Sequence, residues 1–193
     1  MTHKICASCN NGWLSDIDNS CNGLVKELIN YGVKANPANI NPSEISKLYA
    51  LIYKMFLNFL ATSPFKYDKL PFYRAFYESR IPPADVLLFR CSICTSSPLA
   101  IGHLDNWSIY QKKTDVVDWS QGSESGLRFK FFVQFGHASF VMCCAGNQHG
   151  QIVYDDFLLQ PIVGNANSKV AKCNFEAHPT LFQTAPLIGF YGP

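Results

Sequence analysis

The chain has 193 residues, 48% of them hydrophobic and 16% charged, which is enough apolar material for a buried core and too little charge for a disordered chain. The formal net charge of +2 gives no overall help to phosphate binding, which leaves nucleic-acid recognition to a local basic patch. No apolar run reaches the roughly 18 residues of a membrane span, and polar residues and cysteines stand where the apolar part of a secretion signal belongs.

Residues 4–12 read as a tight turn built on Cys6-Ala7-Ser8-Cys9 and closed by Gly12. A helix is predicted from Trp13 to Tyr31. Leu14, Ile17, Cys21, Leu24, Val25 and Leu28 recur on one face, and Gly32 is in position to cap its end. Residues 33–40 read as a loop. Asn41-Pro42-Ser43-Glu44 then offers a side-chain cap, a proline in the first turn and a glutamate three residues on. The helix that follows should run to Thr62. It carries one stripe of Ile45, Leu48, Ile52, Met55 and Phe59 and a second of Tyr49, Tyr53, Phe56 and Leu60, so it is expected at the centre of the fold. A shorter aromatic helix covers 71–79 and stops at Pro82-Pro83.

Beyond Pro83 the pattern becomes strand-like at 86–90, 107–111, 127–135, 138–144 and 156–159. Leu127 to Phe135 and Ala138 to Cys144 read as a hairpin through Gly136-His137. Helices first and strands second imply an α+β fold, with a metal knuckle and helices packed on a mostly antiparallel sheet. The expected division is 1–83 and 84–193, folding as one unit.

Eight cysteines without a secretion signal point to thiols or metal ligands in a reducing, cytoplasmic setting. Cys6 and Cys9 have the spacing that lets two thiolates hold one zinc from a single turn, which is half of a closed tetrahedral site. Cys91 and Cys94 repeat that spacing and are the expected other half; His3, Cys21 or His103 are alternative ligands. A redox role for either pair lacks the usual strand–turn–helix setting. The adjacent Cys143 and Cys144 should face opposite sides of a strand. A thiol nucleophile there would need His137 or His149 as its base. His103, His149 and His178 fall in predicted loops, and Lys112, Lys113, Arg128 and Lys130 on solvated strand faces. Trp13 is expected as a core anchor.

The run Cys6-Ala7-Ser8-Cys9-Asn10-Asn11-Gly12-Trp13-Leu14-Ser15-Asp16-Ile17-Asp18 resembles the knuckle of HNH-endonuclease-like proteins of bacteria and phages. The likeness is specific over about 5–31 and faint elsewhere, with a trace at Phe157 to Pro161. It implies a ββα-metal element in which a histidine on the first strand activates water and a residue at the position of Asn10 helps hold a divalent metal. In that family a further cysteine pair and the catalytic histidine precede this motif, whereas five residues precede Cys6 here. The resemblance therefore implies an HNH-like chain without its catalytic half, in which Cys91 and Cys94 replace the absent pair and Asn10, Gly12 and Trp13 support the knuckle.

Three functions follow as expectations. The first is a zinc-stapled, catalytically inactive scaffold that binds a protein complex, for example an anti-CRISPR-like inhibitor of a nucleic-acid-targeting defence system. The second is a metal-dependent DNA endonuclease with a rebuilt site, its base supplied by His3 or His103. The third is a sequence-independent nucleic-acid binder.

Overall fold

The computed structural model describes residues 6–31, 40–63, 70–91, 97–104, 107–110, 117–120, 129–136, 138–144, 152–154, 159–164, 168–169 and 188–191. The chain opens with a short helix α1 (Ala7–Asn11) and continues into α2 (Trp13–Tyr31). Helix α3 (Pro42–Thr62) starts as its sequence dictates. The Asn41 side chain accepts the Glu44 backbone N–H at 2.9 Å, and the Glu44 carboxylate accepts the Asn41 N–H at 3.2 Å. Two of the backbone donors at the helix start are thereby satisfied. Helix α4 (Leu70–Ser79) follows.

Strands β1 (Leu87–Cys91), β2 (Ser97–Leu104), β5 (Phe129–Gly136), β6 (Ala138–Cys144) and β8 (Leu159–Val163) form an antiparallel sheet in the order β2-β5-β6-β1-β8. A second sheet, in the order β4-β3-β10-β7-β9, combines β3 (Trp107–Tyr110), β4 (Val117–Ser120), β7 (Ile152–Tyr154), β9 (Ser168–Lys169) and β10 (Ile188–Tyr191). It is mixed: β3 with β10 and β7 with β9 run parallel, the other pairs antiparallel. The α+β class and the packing of helices on an antiparallel sheet are as the sequence predicts. The 156–159 strand is displaced to 159–163, and 155–158 lie outside the described residues.

The core forms where α3 meets the first sheet. Leu48, Ile52, Tyr53, Phe56 and Leu60 lie at or near zero exposure beside Phe129, Phe131, Val133, Phe140 and Met142, and Cys21 and Leu28 join them from α2. Phe56 stacks on Phe129 with ring centroids 3.8 Å apart. Each such phenylalanine removes apolar surface worth about 1.5–3 kcal/mol. The opposite face of the sheet is buried too: Leu87, Phe89, Phe132, Val141 and Cys143 are all covered, and Phe89 meets Tyr154 of the second sheet at 5.3 Å. Lys130, Gln134 and Ser139 share this face and are also buried. The solvated position expected for Lys130 is therefore corrected. A strand covered on both faces has no water-facing side to give a lysine.

Gly136 ends β5 with φ +59, in the left-handed region. A Cβ there would stand 2.6 Å from the Ile29 carbonyl oxygen, so the turn between β5 and β6 can pack against α2 only without a side chain.

Candidate metal knuckle

Cys6 caps α1. Its backbone is extended, and its sulfur accepts the Cys9 backbone N–H at 3.1 Å. The Ser8 hydroxyl lies 3.2 Å from the same sulfur. The Asn10 N–H donates to the Cys6 carbonyl at 3.0 Å, which closes the turn and leaves the Asn10 side chain exposed. Gly12 separates α1 from α2. A Cβ at Gly12 would approach the Ser8 carbonyl oxygen to 2.7 Å, so the tight junction requires a glycine.

The two thiols are unequal. Sharing the Cys9 thiol proton, with help from the Ser8 hydroxyl and the Cys9 N–H, brings the exposed Cys6 thiol down to about 7. The same shared proton, followed by desolvation, pushes Cys9 up; the Trp13 indole and the Arg80 guanidinium act against that rise. A dithiol with one member close to ionisation at neutral pH, held by N–H and O–H donors, is a prepared ligand pair for a soft or borderline cation.

Trp13 forms the floor of the knuckle. It packs on the core, with ring centroids 5.7 Å from both Phe76 and Tyr77 in edge-to-face geometry. The Arg80 guanidinium lies 4.0 Å from the Trp13 ring centroid and 4.5 Å from that of Tyr77. Arg80 reaches this place through a left-handed backbone, φ +59, just past the end of α4, and its N–H donates to the Phe76 carbonyl at 2.9 Å. The Trp13 indole nitrogen is buried on the Cys9 side and closes no hydrogen bond among the described residues. It is a donor beside the Cys9 sulfur and favours that sulfur's charged form. Trp13 is thus the core anchor its sequence setting predicts. Arg80 and Tyr77 are members of the site that the sequence does not point to, because they come from the end of a distant helix.

The described ones among the remaining candidate ligands do not gather at this point. Cys91 ends β1 on the face turned away from the helices, buried at 1% exposure, with its carbonyl accepting the Ser139 hydroxyl at 2.6 Å. Cys21 is a core thiol on α2, pushed up by burial. Among the described residues, no three His, Cys, Asp or Glu side chains come together closely enough to hold a metal. The structure therefore does not bring Cys91 to Cys6 and Cys9. Cys94, His3 and the His103 side chain lie outside the described residues.

Cys143 and Cys144 do face opposite sides of β6, and both are buried. Burial pushes the Cys143 thiol up to about 12 against the opposing charge of Lys130. Cys144 lies 3.2 Å from a carboxylate oxygen of Asp85. Neither environment favours a thiolate nucleophile. His137 and His149 lie outside the described residues. No family model, curated protein or solved structure matches this chain.

Proposed function

We propose that this chain is a zinc-binding, catalytically inactive cytoplasmic protein that acts by contacting a macromolecular partner through its knuckle. A protein complex is the favoured partner, and inhibition of a nucleic-acid-targeting defence complex is the specific version of this reading. The observation that carries the reading is the geometry at Cys6. Its exposed sulfur accepts a backbone N–H at 3.1 Å and stands one helical turn from a second thiol, which the Trp13 indole N–H flanks. The residues fit a thiophilic cation: two sulfurs supply the charge, and the Trp13 indole and Arg80 guanidinium offset it. Zinc bound there would lock α1 to the start of α2 and present a rigid outer surface.

Three further observations agree. The run from Cys6 to Asp18 resembles HNH-type knuckles. Cys6, Cys9, Cys21, Cys91, Cys143 and Cys144 carry free thiols, which suits a reducing compartment. No described helix is long and apolar enough to cross a membrane.

Elemental analysis of protein purified under reducing conditions tests the metal. Zinc is expected in the native chain and absent from Cys6→Ser and Cys9→Ser variants; equal zinc in all three would overturn the reading. Affinity capture with native protein and the Cys6→Ser variant tests the partner. A protein complex retained only by the native chain is expected, and identical recoveries would remove the knuckle from recognition. Plasmid incubated with Mg²⁺ or Mn²⁺ should stay intact. Cleavage abolished by Asn10→Ala would replace this reading with that of an HNH-type nuclease.

A further inference from the structure

We propose that Cys6 and Cys9 of two copies of this chain hold one zinc ion between them, making the protein a metal-bridged homodimer. This inference rests on the knuckle being a metal site. It adds the source of the second ligand pair.

The exposure of the sulfurs is the first argument. Zinc in a closed structural site takes four ligands, and one knuckle supplies two. Cys6 is exposed and Cys9 half-buried, so the open side of the pair faces outward. The inward side is occupied by Trp13, with Phe76 and Tyr77 behind it and Arg80 across its ring. Cys91, which repeats the cysteine spacing with Cys94, faces away from the helices on the far side of the first sheet. A second copy related by a two-fold axis through the metal would bring the same two sulfurs to the same point, a self-complementary contact.

The surroundings of the knuckle suit such a contact. Tyr77 is 51% exposed and Ile81 68% exposed, so two large side chains with apolar surface lie open to a partner here. Both border the knuckle: Tyr77 touches Trp13 and Arg80, and Ile81 follows Arg80 in the chain. An opposing copy would cover them. Charge also balances. Four thiolates around one Zn²⁺ leave a net charge of about −2, and each copy brings one Arg80 guanidinium to the site. The Trp13 N–H of each copy is a donor beside its own Cys9 sulfur and helps hold that sulfur's charge.

The test uses the full chain, reduced, loaded with zinc chloride and freed of excess metal. Zinc per chain is measured by elemental analysis and mass by light scattering. One zinc per two chains is expected, at twice the 21.6 kDa chain mass, with return to 21.6 kDa on adding a chelator. Cys6→Ser, an exposed substitution that leaves the core untouched, should abolish both zinc binding and dimerisation. Arg80→Ala should weaken zinc affinity by about 10-fold, as removal of a supporting group around a metal does. Cys91→Ser should leave both the zinc content and the dimer unchanged. One zinc per 21.6 kDa monomer would overturn the homodimer and leave the metal reading standing. A dimer that survives Cys6→Ser would overturn the bridge. No zinc above background would overturn both.

Discussion

The Lys54 ammonium crosses from α3 to α2, where it meets an Asp18 carboxylate oxygen at 2.5 Å and the Leu14 carbonyl at 2.8 Å. Its side chain is 7% exposed, whereas that of Asp18 is 56% exposed. The lysine therefore carries most of the desolvation, and water screens its partner. Neutralising Asp18 alone leaves the buried ammonium with no counter-charge and only neutral oxygens to accept from it. Asp18→Asn should cost about 1–3 kcal/mol, whereas Lys54→Met, which removes the charge and keeps the packing, should cost less than about 1.5 kcal/mol. Urea denaturation of the two variants checks the order. A less stable Lys54→Met would show that the lysine's contacts outweigh its burial.

Among the described cysteines, the Cys6 thiol should be the most reactive in the metal-free protein. Alkylation with iodoacetamide is expected to rise to half its maximal rate near pH 7, and Ser8→Ala should move that midpoint upward. Because the folded chain lowers this pKa, the bonds to the thiolate favour the folded knuckle fully above the ordinary thiol value of 9.0. That contribution is lost as pH falls through about 7. Cys143, pushed up to about 12, should stay unlabelled until the protein unfolds. Mass spectrometry of the labelled peptides distinguishes the sites.

Gly136→Ala places a methyl group 2.6 Å from the Ile29 carbonyl oxygen at a φ of +59. Strain and clash add, so a loss of at least about 1–2 kcal/mol is expected. Part of it should appear as loosening of α2 against β5, visible as faster hydrogen exchange around Leu28 and Ile29 than elsewhere in the core.

Arg80 combines a strained backbone with a cation–π contact, and the two can be separated. Arg80→Gly loses the contact and relieves the strain, terms of about 0.5–1 and 1–2 kcal/mol respectively. Arg80→Ala loses the contact and keeps the strain. The glycine variant should therefore be the more stable of the two by about 1 kcal/mol, measured by thermal or urea unfolding. Equal stabilities would mean that the strain of the left-handed turn after α4 is no larger than the extra unfolded-chain entropy of glycine, about 0.4–1 kcal/mol.

Much of the helical half was legible in the sequence because its signals are local. The Asn41 cap, the proline after it and the two stripes of α3 reappear in place. The hairpin of β5 and β6 was legible too, since its strands adjoin. Strand β2 was not: Pro98 and Gly102 weaken its pattern, and its pairing with β5 carries an irregularity between Ser97 and Ala100. Strand β10 was missed because it pairs in parallel with β3 from a distant part of the chain. At the candidate site, Cys6, Cys9, Gly12 and Trp13 were identifiable from spacing. Arg80 and Tyr77 were not, since tertiary packing alone carries the end of α4 to Trp13. The face on which Cys91 lies depends on strand register and on which sheet covers which side, and cysteine spacing encodes neither.

The first sheet has consequences for any attempt to divide the chain. One of its faces is dried by helices that precede it in sequence, and on the other Phe89 meets Tyr154 of a sheet whose strands are interleaved with its own along the chain. A fragment ending near Pro83 would leave the α3 stripes of Leu48, Ile52, Phe56 and Leu60 bare. A fragment starting there would expose Phe129, Phe131 and Phe140. Each half would be a sticky object in water, so fragments should be recovered from inclusion bodies and regain solubility only when mixed. A selection screen for split proteins would find its productive break points in surface loops and not at the boundary between helices and strands.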